Sequence, residues 1–318
     1  MTQPPKYTEE QLEEYLKRIS YPHSETELTL VQNIRQNIAK DALGTLFELH
    51  RRHLTSIPWG NSGLHYSQHH TISLSPEALF EKIVARRLDG YCMENTGLFH
   101  IILRSLGYVV YAIGARVGQA VGTGVENGLF SQLSHMLLIV VIDEVKYMLQ
   151  IDVGFGTYNA TGPLLLQEGV ISTRIAPSEM RLIKDSLVEA TDKSQKFWIY
   201  QTRHSLESNW LSMICFADME LLPQDFELMN FGVSQRRASW FTQMFVCTRM
   251  ILDSTGQEII GQCSLSGKDV KRRIHGQTEF LGVIESEDDR VKALAEYFDM
   301  HLRNSEIQGI RGLVSQVR

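Results

Sequence analysis

No two of the four cysteines in this 318-residue sequence form a CxxC pair, and all lie far apart at Cys92, Cys215, Cys247 and Cys263. That spacing argues against a zinc knuckle and a disulfide framework, and it points to a reducing, cytoplasmic setting. Long apolar runs are missing too. The longest spans Met136 to Ile142, whereas a membrane-crossing helix needs about 20 residues. The first stretch, MTQPPKYTEEQLEEYLKRI, is polar and acidic where an export signal has a basic start and an apolar centre, so no export is expected. Positive charge is in deficit, 31 Lys and Arg against 37 Asp and Glu. The net negative field argues against a general binder of nucleic acid or anionic membrane. Only 8 prolines are present, against a low-complexity chain, and a 43% hydrophobic content with 21% charged residues is that of a folded, water-soluble protein.

The chain is long enough for two or three units around a shared core. Residues 1–107 read as a helical bundle. Thr8 and Gln11 form a capping box ahead of Leu12, Tyr15, Leu16 and Ile19 at helical spacing. Ser24 with Glu27, the run from Leu46 to His53, and Ser75-Pro76 mark further helices. The last helix of this unit is expected to begin near Cys92, bury Leu98, Phe99, Ile102 and Leu103, and stop at Gly107. From Tyr108 the period changes to that of strands, and residues 108–220 read as a β-sheet or barrel interrupted by a long loop over 118–134. Residues 221–318 mix strands with a final helix whose face carries Val291, Leu294, Ala295, Phe298 and Leu302.

Chemistry concentrates around RRLDGYCMENTGLF, residues 86–99. A cysteine in the first turn of a helix meets the positive end of the helix dipole and unpaired N–H groups, which favour thiolate. Partners come from a hairpin turning at Asp143-Glu144: if Ile142 faces Val145 and the ladder continues, His135 falls opposite Asp152. Directly opposed residues share a sheet face with Cβ atoms about 4.5–5.5 Å apart, close enough for a base and its orienting acid. His65, His69 and His70 lack a carboxylate or cysteine to complete a zinc pattern, so no metal is expected. His100 lies two turns along the same helix as Cys92, too far to take its proton.

The segments RRLDGYCMENTGLF, SHMLLIV and DVGFG, in that order and spacing, resemble the arylamine N-acetyltransferases. Supporting segments are HRRHLTSIPWGN, LGYVVYAIGARV and ELLPQDFELMN, and the resemblance runs over residues 10 to 303. It implies an α+β fold: an N-terminal helical bundle, a central β-barrel and a C-terminal α/β lid, with a papain-like Cys/His/Asp triad. It implies that Cys92 is acylated by an acyl-CoA, most readily acetyl-CoA, and that His135 and Asp152 activate it. The acyl group then passes to an arylamine or hydrazine in a ping-pong reaction of the kind used in xenobiotic metabolism. By the same resemblance Trp59, Phe155 and Phe241 line the substrate pocket, while Ser239, Arg236 and Arg237 approach the CoA. Basic residues in GKDVKRR, including Lys268, Lys271, Arg272 and Arg273, are further candidates for its phosphates.

Three departures stand out. The family's Arg-x-Gly-Gly-aromatic-Cys becomes Arg87-Leu88-Asp89-Gly90-Tyr91-Cys92, and Asp89 is expected to cap the helix. Its Ile-Pro-Phe-Glu-Asn becomes Ile57-Pro58-Trp59-Gly60-Asn61. Its Cys-x-Glu-x-Asn becomes Cys92-Met93-Glu94-Asn95-Thr96, leaving Glu94 as a buried structural carboxylate. Two rival functions remain: a cysteine hydrolase or amidase with the same triad, and a binding protein that kept the fold.

Overall fold

A computed structural model describes residues 4–23, 27–149 and 160–317. The first helix, α1 (Glu9–Arg18), begins at the expected capping box: Thr8 accepts from Gln11 N–H, and the Gln11 side chain accepts from Thr8 N–H. Leu12, Tyr15, Leu16 and Ile19 are all buried; a fully buried side chain of the Leu or Ile type contributes roughly 1.5–3 kcal/mol. The next helix, α2 (Leu30–Lys40), starts later than the Ser24 and Glu27 pattern suggested. Its box is formed by Thr29 and Gln32, while Glu27 lies in an exposed bend and Ser24 is outside the described residues. Two acceptable cap patterns stood close together, and the one adjoining the buried face of Leu30, Val31 and Ile34 prevails.

Asp41 caps α3 (Ala42–Ser56) through Gly44 N–H at 2.8 Å. Then come β1 (Trp59–Gly60), α4 (Ser62–His65) and α5 (Pro76–Leu79), the last with Ser75 as cap and Pro76 in its first turn. A π-helical turn at Phe80–Ala85 leads toward α6 (Cys92–Leu106), which ends where Gly107 adopts φ of 101°. A left-handed backbone of that kind favours glycine.

A curled, antiparallel eight-stranded sheet follows. It comprises β2 (Val109–Gly118), β3 (Phe130–Ile142), β4 (Val145–Leu149), β5 (Leu164–Leu165), β6 (Ile171–Thr173), β7 (Glu179–Asp185), β8 (Phe197–Arg203) and β9 (Leu211–Glu220), in the order β5-β4-β3-β2-β9-β8-β7-β6. Between β2 and β3 lies a short α7 (Ala120–Thr123), so the long loop expected over 118–134 is shorter: strand β3 already begins at Phe130. Polar Ser131, Gln132 and Ser134 obscured it, because they lie where β3 borders an open cavity rather than the core.

The hairpin register is as expected across the described residues. Ile142 faces Val145, and the ladder runs out to Leu138 opposite Leu149. Asp143 and Glu144 take φ of 49° and 66°, the left-handed pair that a two-residue hairpin turn needs to match strand twist. Asp152 lies outside the described residues.

The last third begins with α8 (Pro223–Ser234) and α9 (Trp240–Gln243). A second sheet then forms from β10 (Val246–Leu252), β11 (Ile259–Ser266), β12 (Asp269–Ile274) and β13 (Gln277–Val283). Its edge is β1, whose Trp59 and Gly60 pair with Thr248 and Cys247. Helix α10 (Glu287–Phe298) buries Ala293, Leu294 and Phe298, and ends as Asp299 turns left-handed at φ of 58°. Leu302, expected on its face, therefore lies beyond it, before α11 (Asn304–Gly309). Among the described residues no helix is long and apolar enough to cross a membrane.

Candidate active site

Cys92 is the first residue of α6, and the chain into it is held from several sides. The Glu94 carboxylate accepts from Tyr91 N–H at 3.1 Å, and Asn95 Nδ2 donates to Gly90 O at 2.8 Å. Tyr91 donates its hydroxyl proton to Asn230 Oδ1, and Asn230 Nδ2 donates to Ile72 O at 2.9 Å, which ties α6 to α8. Cys92 is buried and its thiol points to Ser134 O at 3.9 Å. The next residue of β3 is His135, also buried, paired with Ala115 of β2 just before a bulge in that ladder.

Cys92 and His135 line one cavity of about 760 Å³, well within the range that takes a small organic substrate. Trp59, Arg236, Ser239 and Phe241 line it as well, so the structure brings most of the residues named from the sequence to one place. Arg237 is not among its lining residues: its side chain is exposed, and its carbonyl accepts from Thr242 Oγ1 at 3.2 Å and Gln243 Nε2 at 2.7 Å. Asp152 and Phe155 lie outside the described residues. Phe241 stands edge-on to Trp59 and Tyr91, with ring centroids 5.6 and 5.8 Å apart. Such tilted pairs put the positive edge of one ring against the negative face of the other, and they form an aromatic wall beside the thiol.

A polar sheet face also lines the cavity, and of its residues sequence reasoning singled out only Lys271 and Arg273. Thr248, Gln262, Ser264 and Ser266 reach the cavity from β10 and β11, joined by Lys271 and Arg273 from β12. Cys247, Cys263 and Leu265 alternate with them and are buried on the other side. That alternation is written in VCTRMIL and IIGQCSLS, and period two was its available signal. Of the basic run, Lys271 pairs with Asp269 at 2.6 Å, and Arg272 is turned away onto Glu279 at 2.6 Å; Lys268 and Arg272 are absent from the lining.

Asp89 does not cap α6. Glu94 performs that task, while Asp89 accepts from Ser62 N–H at 3.0 Å and from the Ser62 hydroxyl. The cap expectation rested on closeness in sequence, but the carboxylate points across to α4. Lys82 lies between the two buried acids, 2.6 Å from Glu94 and 4.0 Å from Asp89. Burial raises both carboxyls above their ordinary range. Burial also pulls the Lys82 ammonium down, but Glu94 and Asp89 outweigh it and leave it raised.

His65 and His100 have structural partners. His65 is within hydrogen-bond distance of Phe241 O (2.9 Å) and Ser315 Oγ (2.7 Å), and burial brings it down to about 4. His100 accepts from Arg104 Nη2 at 2.7 Å. Among the described residues no group of three or more His, Cys, Asp or Glu is arranged to hold a metal.

The four thiols are not equivalent. Burial pushes Cys215 up to about 12, Cys263 up to about 11 and Cys247 well above its ordinary range, while Cys92 alone lines the large cavity. Iodoacetamide is therefore expected to modify Cys92 first in the native protein, since alkylation follows accessible thiolate. Peptide mapping of briefly treated protein checks this; equal labelling of Cys215 or Cys263 would contradict it.

Known proteins fit this architecture. The sequence profile of the family described as N-acetyltransferase matches residues 42–307. N-malonyltransferase FDB2 of Gibberella moniliformis is 34% identical over 316 residues, covering 95% of this chain and 91% of that protein. The arylamine N-acetyltransferase of Escherichia coli (strain K12) is 30% identical over 211 residues, 66% of this chain and 68% of that one. Among solved structures, the Salmonella typhimurium arylamine N-acetyltransferase superposes with a TM-score of 0.74 at 24% identity, covering 96% of this chain and 98% of that one. The Mycobacterium marinum enzyme, solved in complex with CoA, gives 0.73 at 23% identity over 96% and 99%. The structural likeness establishes the fold, and the profile with the near full-length relatives makes the chain an enzyme of the N-acyltransferase class. It belongs to the arylamine N-acetyltransferase family.

Proposed function

We propose that the protein transfers an acyl group from an acyl-CoA to an arylamine or hydrazine through an acyl-cysteine on Cys92. The observation that carries this is the convergence of Cys92 and His135 on one cavity beside an aromatic wall. In this reading residues 1–107 supply the thiol, 108–220 supply His135 and Asp152, and 221–318 close the cavity. His135 takes the Cys92 proton as sulfur attacks the thioester carbonyl, and returns it to the departing CoA sulfur. Asp152 holds the imidazole in the required tautomer, and backbone N–H groups at the start of α6 support the developing oxyanion. The amine then attacks the acyl-cysteine, gives its proton to His135, and leaves with the acyl group.

The family resemblance by itself points to acetyl-CoA as donor. Two considerations move the reading to malonyl-CoA. Relatives 33% and 34% identical over 96% and 95% of the chain are named N-malonyltransferases, and among the described residues the cavity is lined by Arg236, Arg273 and the Asp269-paired Lys271, with no carboxylate. A charge-assisted hydrogen bond to the malonyl carboxylate would favour that donor by about tenfold or more over acetyl.

The test omits the amine. With malonyl-CoA alone, free CoA should appear in a burst no larger than the enzyme concentration, and intact-mass measurement should find one malonyl group on Cys92. An arylamine should then restart turnover and yield the amide. Steady CoA release without amine would identify a hydrolase, and no adduct with any acyl-CoA would defeat the acyltransfer reading. Equal or better use of acetyl-CoA would return the donor to acetyl.

A further inference from the structure

Two of the three departures from the family pattern meet in space. Asp89 is fully buried and bonded to Ser62. Gly60 lies against it: a Cβ placed on residue 60 would fall 2.1 Å from Asp89 Oδ2 and 2.9 Å from Val246 O. Real Cβ atoms do not approach a heavy atom so closely, and a packed interior cannot yield that volume. The carboxylate of residue 89 therefore occupies the room that a side chain at residue 60 would need. Where the family pattern has glutamate and glycine, this chain has Gly60 and Asp89. The acid has crossed from strand to loop, and the glycine has gone the other way.

We propose that Gly60 and Asp89 are a reciprocal pair in which Asp89 is a positioning residue for the aromatic wall of the cavity. Its grip on Ser62 fixes the segment that carries Trp59. Gly60 N–H donates to Gly90 O at 3.2 Å, and Gly90 N–H donates to Pro58 O at 3.3 Å, so β1 lies against the loop leading to Cys92. From the same segment Asn61 Nδ2 donates to Phe241 O and Met244 O, each at 2.8 Å, and Asn61 Oδ1 accepts from Val246 N–H at 3.0 Å. One buried acid thus bears on Trp59 through Ser62 and the β1 segment, and on Phe241 through Asn61. The start of α6 has its own bonds from Glu94 and Asn95, and it is linked to Asp89 only through the shared Lys82. Loss of Asp89 should displace the wall more than the thiol.

The pair is tested by Asp89→Gly, Gly60→Glu and the double variant, with Asp89→Asn as the conservative change. Asp89→Gly is expected to raise the arylamine KM about tenfold, with a smaller effect on the rate at which malonyl-CoA acylates Cys92. Asp89→Asn, which keeps an acceptor toward Ser62, should recover most of the loss. Gly60→Glu alone should lower the thermal midpoint by several degrees and impair amine turnover; joined to Asp89→Gly it should return both toward wild type. Gly60→Ala replaces Gly60→Glu if the larger residue prevents folding, with the same partial rescue expected.

Losses that simply add in the double variant, or a Gly60→Glu protein as stable as wild type, would overturn the pair. An effect of Asp89→Gly spread equally over acylation and amine KM would overturn the positioning role. The inference rests on the acyltransfer reading, but the thermal midpoints need no substrate. A wild-type protein that no acyl-CoA acylates would sink that reading, while the coupling in stability would still decide the pair.

Discussion

Cys92→Ser protein mixed with malonyl-CoA or acetyl-CoA is expected to gain no acyl mass on residue 92, to release no burst of CoA, and to form amide at least about four powers of ten more slowly than wild type. The change is small in volume, and Cys92 is buried at the head of a helix whose start is held by Glu94, Asn95 and Tyr91. The fold should persist, as circular dichroism and thermal midpoint can verify. What is lost is sulfur chemistry: a thiol is a few per cent ionised at neutral pH and strongly nucleophilic, whereas a hydroxyl needs far more help to attack a thioester. Mass spectrometry and stopped-flow CoA release read the outcome. Amide formation within tenfold of wild type would remove Cys92 from the mechanism, whatever the cavity geometry.

His135→Ala is expected to slow acylation of Cys92 by about 10²- to 10⁴-fold near neutral pH. The form of the pH dependence carries more information than the size of the loss. With His135 present, proton removal accompanies attack. Without it, the rate should follow the thiolate fraction of Cys92 and keep climbing as pH rises. Asp152→Asn should act in the same direction by leaving the imidazole in the wrong tautomer, as in other triads where this change costs about 10⁴. Single-turnover acylation measured across pH distinguishes the two. A His135→Ala protein with the wild-type rate and profile would show that another group serves as base.

Local chemistry in the sequence foretold local structure. The Thr8 and Gln11 box, the Ser75-Pro76 start and the Gly107 stop each depend on groups a few residues apart, and each stands where expected. The hairpin was legible because one two-residue turn fixes every pair along its ladder, and Ile139 does face Met148. What escaped detection depends on distant partners. A two-residue strand has no period to read, so β1 gave no sign that it would pair with Thr248 and Cys247. Asp89 looked like a cap because it stands just before a helix, yet its hydrogen-bond partner is Ser62, 27 residues away. The polar face of β10 to β12 was visible as alternation, but only the fold turns that face toward Cys92 instead of toward water. For the same reason Trp59, Arg236, Ser239 and Phe241 came from family likeness, and the geometry joins their two segments with those of Cys92 and His135 around one space.

The pairing of β1 with β10 also sets a timetable. Asn61 waits for Phe241, 180 residues further along the chain. At a synthesis rate of about 5–20 residues per second, that gap lasts roughly ten to forty seconds. Over that interval α6 can form from its own caps while the space in front of Cys92 still lacks one wall. The ribosome therefore releases the sulfur early and its enclosure late, so a chain stopped before β10 carries the nucleophile without the chamber that would shelter an acyl group from water.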